Sequence, residues 1–110
     1  MFNTSVPAYK CEIFMAGNIM DAIECCQEYC DQVGYCVTVS PTTYVYTDGE
    51  EEGIVVGLIN YGRVPTNHNL IREKAIDLGY KLMGKLDQKS FTVQDPHIST
   101  WYSDRPEDNV

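Results

Sequence analysis

Residues 54–61 read IVVGLINY, with Ile54, Val56 and Leu58 on one face of an extended chain and Val55 and Ile59 on the other. A strand that is apolar on both faces belongs in the interior of a sheet, so the fold has to supply neighbours on each side of it. Gly57 in its middle marks a close approach by another element. The rest of the chain is organised around that requirement.

Residues 9–16 alternate, with Tyr9, Cys11, Ile13 and Met15 on one face and Lys10 and Glu12 on the other, which predicts a half-buried strand. Gly17 interrupts it. Asn18 then offers a helix cap, and Ile19, Ala22, Ile23, Cys26, Cys30 and Val33 form a helical stripe that stops at Gly34. Residues 35–39 and 42–47 are β-prone and flank Ser40-Pro41, which predicts two separate strands; Asp48-Gly49 is a turn signal. A second helix is expected over residues 70–86, with Ile71, Ala75, Leu78, Leu82 and Leu86 buried and Gly79 allowing close packing. Residues 90–94 and 98–103 read as a terminal hairpin around Asp95-Pro96-His97.

The expected order is therefore βαβββαββ. It describes an α+β two-layer sandwich, an antiparallel sheet of five to six strands with two helices on one face, related to the ferredoxin-like plan. One domain spans residues 1–103, and residues 104–110 form an acidic tail expected to fray. Two helices cannot cover both faces of such a sheet, and the chain carries twelve aromatic residues, Tyr44 and Tyr46 among them. A sheet face left with aromatics predicts a homo-oligomer, dimer or larger.

Sixteen acidic against eight basic residues give a net charge of -8, which opposes direct binding to nucleic acid or anionic lipid. No apolar run reaches the length of a membrane span, and no signal peptide is recognised, so a cytoplasmic protein is expected. The five cysteines, Cys11, Cys25, Cys26, Cys30 and Cys36, follow no disulfide or zinc spacing and are expected to be free thiols. No metal or other cofactor is expected.

Catalytic motifs are equally scarce. Glycine-rich phosphate loops and nucleophile elbows do not occur, and the two histidines, His68 and His97, sit at a helix start and in a turn. Glu50, Glu51 and Glu52 read as a solvated hairpin tip. The arginines carry more information, because there are three: Arg63, Arg72 and Arg105. Arg63 lies with Asn60 and Tyr61 between a strand end and a helix start, which offers a guanidinium fork, a ring and helix N–H groups to an anion or nucleotide. Trp101 and Arg105 offer a second ring and fork. The candidate ligand-binding residues are thus Asn60, Tyr61, Arg63, Trp101 and Arg105, with no catalytic residue assigned.

The segments GYCVTVSPTTYVYTDGE (residues 34–50) and GIVVGLINYGRVP (residues 53–65) resemble a family of small proteins from tailed phages and prophages. AGNI at residues 16–19 and WYS at residues 101–103 extend the likeness over most of the chain. The chain departs from that family in having Asp48 where a glycine is usual, and Gly62-Arg63-Val64 for Pro-Arg-aromatic. The resemblance implies a phage accessory protein acting in the host cytoplasm, where inhibitors of host defence are common. Without a nucleophile–base pair, the expectation is a non-enzymatic protein that counters host defence by binding. Its partner would be a small signalling nucleotide or a basic host defence protein. The alternative is a small enzyme acting on a nucleotide or similar phosphorylated small molecule.

Overall fold

The computed structural model describes residues 1–109; Val110, the last residue of the expected tail, lies outside them. Strand β1 (Lys10–Ala16) alternates as its sequence dictates, burying Cys11, Ile13 and Met15. Helix α1 (Ile19–Val33) begins where the Asn18 side chain accepts the N–H groups of Met20 and Asp21. It ends at Gly34, whose left-handed backbone (φ 74°) directs its N–H to the Cys30 carbonyl. Its buried side chains are Ala22, Cys25, Cys26 and Tyr29, so the stripe is rotated from the expected one and Ile23 and Val33 are exposed. The cause is the second helix, since α1 packs into the angle between it and the sheet, and the Tyr29 hydroxyl reaches the Lys74 carbonyl.

The two strands expected on either side of Ser40-Pro41 are one, β2 (Thr38–Tyr46), joined to β3 (Gly49–Ile59) by a tight turn. Pro41 is accommodated because β2 is an edge strand in the order β2-β3-β1-β4-β5. Gly17 N–H donates to Glu52 O and Asn60 N–H to Tyr9 O, so the even-numbered peptides of β3 serve β1. Opposite Ile54, whose carbonyl points to β1, Pro41 therefore faces no acceptor on β3, and its missing N–H leaves the ladder intact.

Helix α2 (His68–Lys85) is capped by the Asn67 side chain and buries Ile71, Ala75, Leu78, Gly79 and Leu82. A Cβ on Gly79 would lie 2.3 Å from the Phe91 ring, which is the close approach its position requires. Strands β4 (Ser90–Gln94) and β5 (Ser99–Ser103) complete the sheet, and a short 3₁₀ turn follows (Pro106–Asp108). All pairings are antiparallel. The order is βαββαββ: a ferredoxin-like four-strand unit carrying a fifth strand at one edge, with both helices on one face. The core lies between helices and sheet, built on Ile13, Ile54, Val56, Leu58, Ile71, Leu78, Leu82 and Val93. Among the described residues no helix is long and apolar enough to cross a membrane.

Candidate functional site

The register places one row of side chains across the uncovered sheet face: Ser40, Val55, Phe14, Thr92 and Trp101. Beside it, Tyr44 stands opposite Glu51 on the β2–β3 hairpin, and Ser103 ends β5 opposite Ser90. A cleft of about 210 Å³ opens between these two groups. Tyr44 and Glu51 form one side, Trp101 and Arg105 the other, with Phe14 and Ala16 between them. Trp101 is 54% exposed, a large ring left available on the surface.

Two local structures hold the cleft's walls. The Tyr44 hydroxyl donates to the Ile54 carbonyl at 2.8 Å, and burial raises its pKa. Tyr44 is therefore a fixed ring rather than a proton donor to a ligand. On the other side the chain past Ser103 is tied back on itself. The Arg105 N–H donates to Ser103 Oγ at 3.2 Å, and Asn109 Nδ2 donates to the Arg105 carbonyl at 2.7 Å. Asp108 lies 3.9 Å from the Arg105 guanidinium.

Of the residues singled out in the sequence, Trp101 and Arg105 meet in this cleft, while Asn60, Tyr61 and Arg63 do not join them. Asn60 is a clip at the opposite end of the sheet, its Nδ2 donating to Pro7 O and its Oδ1 accepting the Thr66 N–H, each at 2.9 Å. Tyr61 packs edge-on against Tyr35, with ring centres 5.8 Å apart. Burial and a hydrogen bond to Cys36 push its pKa up to about 12. Arg63 is exposed on the loop. A larger hollow of about 490 Å³ beside Asn60 is lined by Val6, Pro7, Pro65, Thr66, Asn67, His68 and Asn69. It holds no charged fork, and its asparagines 60 and 67 already serve the backbone.

Near that end, α2 is clamped to the β4–β5 turn. Asp95 accepts from the backbone of His97 and Ile98, from Tyr9 Oη at 3.0 Å and from Arg72 Nη1 at 3.2 Å. Arg72 Nη2 continues to Thr100 Oγ1 at 2.7 Å. The backbone bond from Ile98 leads the influences that bring the Asp95 carboxyl down to about 2, against the opposing effect of burial. No buried side-chain polar atom among the described residues lacks a partner, so the clamp is structural. Among the described residues no cluster of histidine, cysteine or acidic groups could hold a metal ion.

Sequence reasoning assigned Tyr44 to an oligomer seam and Glu51 to a solvated tip. Counting strand register back from the Asp48-Gly49 turn would have put both on one face, since Tyr46 pairs with Gly49 and Tyr44 with Glu51. What the sequence does not show is that β5 brings Trp101 to the same face.

Fold and cleft together define a five-stranded ferredoxin-like domain with an aromatic, oppositely charged groove on its open sheet face. No protein-family model matches the sequence, and no curated protein does. Solved structures do share the fold. A phage SAM lyase in complex with S-methyl-5'-thioadenosine matches with a TM-score of 0.76 at 15% identity, over 94% of this chain and 95% of that one. A phage SAM lyase in the apo state matches at 0.67 and 19% identity, over 94% of each chain. At such identities the shared property is the fold. The expectation of a non-enzymatic binding protein is overturned by these neighbours, both of which are enzymes of small-molecule chemistry. They favour the small-enzyme alternative.

Proposed function

We propose that this protein is a small lyase that splits S-adenosylmethionine within the cleft between Tyr44 and Trp101. The observation that carries the reading is the pairing of two aromatic rings with one carboxylate and one guanidinium, Glu51 and Arg105, in a groove on this fold. S-adenosylmethionine presents matching chemistry: a flat adenine, a sulfonium cation, and an amino-acid head bearing both charges. Aromatic faces suit the ring and the sulfonium. Glu51 faces the ammonium, and Arg105 attracts the carboxylate end.

The cleft lining contains no histidine, cysteine or lysine to move a proton. Cleavage needs none if the substrate supplies its own nucleophile. A carboxylate oxygen of the methionine moiety attacks its γ-carbon while the bond from that carbon to sulfur breaks. The bonding pair goes to sulfur, giving neutral S-methyl-5'-thioadenosine. The four-carbon fragment closes as a lactone that keeps its ammonium. No water enters, and no proton is gained or lost. Opposite charges cancel as the reaction proceeds, so apolar aromatic faces against the reacting atoms favour the transition state, and folding the head onto its own γ-carbon provides the proximity. In a host cell, loss of this methyl donor would starve methylation-dependent defence, consistent with the phage resemblance.

The test is incubation of the purified protein with S-adenosylmethionine and chromatographic quantification of products. S-methyl-5'-thioadenosine is expected in equal amount to the substrate consumed. Intact substrate after prolonged incubation at stoichiometric enzyme would refute the reading.

A further inference from the structure

Glycines 49, 53 and 57 recur along the open face of β3, interleaved with Glu51 and Val55. Each is overlain by a β2 side chain: Tyr46, Tyr44 and Thr38 respectively. Gly53 is the tightest. A Cβ there would lie 2.2 Å from Tyr44 Cε2 and 2.7 Å from the Met15 carbonyl oxygen. Its backbone is not left-handed, so turn geometry does not require the glycine. Two neighbours require it, the Tyr44 ring above and the Met15 carbonyl beside it. Tyr44 lies across β3, with its hydroxyl tied to the Ile54 carbonyl.

We infer that Gly53 is a positioning residue of the proposed lyase site, acting through Tyr44. By leaving room for the ring to lie down on β3, it fixes one wall of the cleft opposite Trp101 before any ligand enters. A wall already in place costs a ligand no side-chain ordering. With its hydroxyl committed to Ile54, Tyr44 contributes a face and not a proton. The inference rests on the lyase reading and assigns within it what sets the width of the cleft.

Trp101 is the one tryptophan of the chain, so its fluorescence reports on the cleft directly. The experiment titrates S-methyl-5'-thioadenosine into the wild type and into Tyr44→Phe, Tyr44→Ala, Gly53→Ala and the Gly53→Ala/Tyr44→Ala double variant. KM and kcat for S-adenosylmethionine are measured alongside. Tyr44→Phe keeps the ring but loses its tie to Ile54, and it should weaken binding by less than Tyr44→Ala, whereas Gly53→Ala and Tyr44→Ala should each weaken binding roughly tenfold, raise KM in step and lower kcat as well. In the Tyr44→Ala background, Gly53→Ala should add less than about twofold, because no ring remains to displace. If Gly53→Ala costs as much with the ring removed, it acts through the Met15 carbonyl and the sheet, and the inference fails. Should Gly53→Ala not fold, Tyr44→Ala decides alone: unchanged affinity and KM would overturn the assignment. A wild type that neither cleaves nor binds refutes the lyase reading and the role of Gly53 with it. An active wild type with an additive cycle refutes only this inference.

Discussion

The carboxyl of Asp95 answers for more of the molecule than its exposed turn suggests. It is 10% exposed and joins four partners, from the residue before β1, from α2 and from its own turn. Its pKa is held at about 2, below the ordinary 3.8. The folded state therefore binds this proton less readily than the unfolded chain. The resulting stability is present above about pH 4 and is lost as the pH falls through the folded value near 2. Asp95→Asn is expected to lower stability at neutral pH by roughly 2 kcal/mol, and the gap to wild type should close towards pH 2 in denaturant titrations. The cysteines sort by the same logic of burial. Burial, reinforced by neighbouring Cys25 and Cys30, pushes the Cys26 thiol up to about 12, and Cys11 and Cys25 are also buried. Cys36 is exposed. Limited alkylation followed by peptide mapping should find Cys36 modified first and Cys11, Cys25 and Cys26 last.

At the scale of elements, the β2–β3 hairpin shows why its turn sequence matters. Asp48 adopts a left-handed backbone with φ of 63°, a conformation that a side chain disfavours and glycine accepts freely. Asp48→Gly is expected to raise stability, by up to about 1 kcal/mol, as a small rise in melting temperature. Capping of the first helix was legible in advance: Asn18 and Gly34 act as their sequence positions indicate. Pro41 was misleading for a physical reason. Whether proline ends a strand depends on whether its nitrogen faces a partner, and only the strand order places β2 at the edge.

For the whole molecule, the helices cover one sheet face and leave the other with Phe14, Tyr44, Val55 and Trp101. Val45, Tyr46 and Ile59 are also exposed. Exposed apolar residues beside the cleft, Tyr46 and Ile59 among them, predict self-association that leaves the cleft itself open, and light scattering is expected to give a multiple of the 12.5 kDa chain mass. A monomer at micromolar concentration would overturn this expectation.

Local chemistry specified most of the elements, because strand alternation and caps depend on neighbours within a few residues; the continuity of β2 through Pro41 and the facing of α1 did not follow from it. The double-faced run around Val55 likewise placed β3 inside the sheet. The site depended on tertiary structure. Trp101 and Arg105 meet Tyr44 and Glu51 only because β1 and β4 are inserted between the hairpin and β5, a contact between segments some fifty residues apart. The absence of a nucleophile–base pair pointed away from catalysis, yet it bears only on reactions in which the protein moves a proton. A substrate that carries both nucleophile and leaving group asks the chain for shape and charge, and these properties belong to a folded surface rather than to a motif.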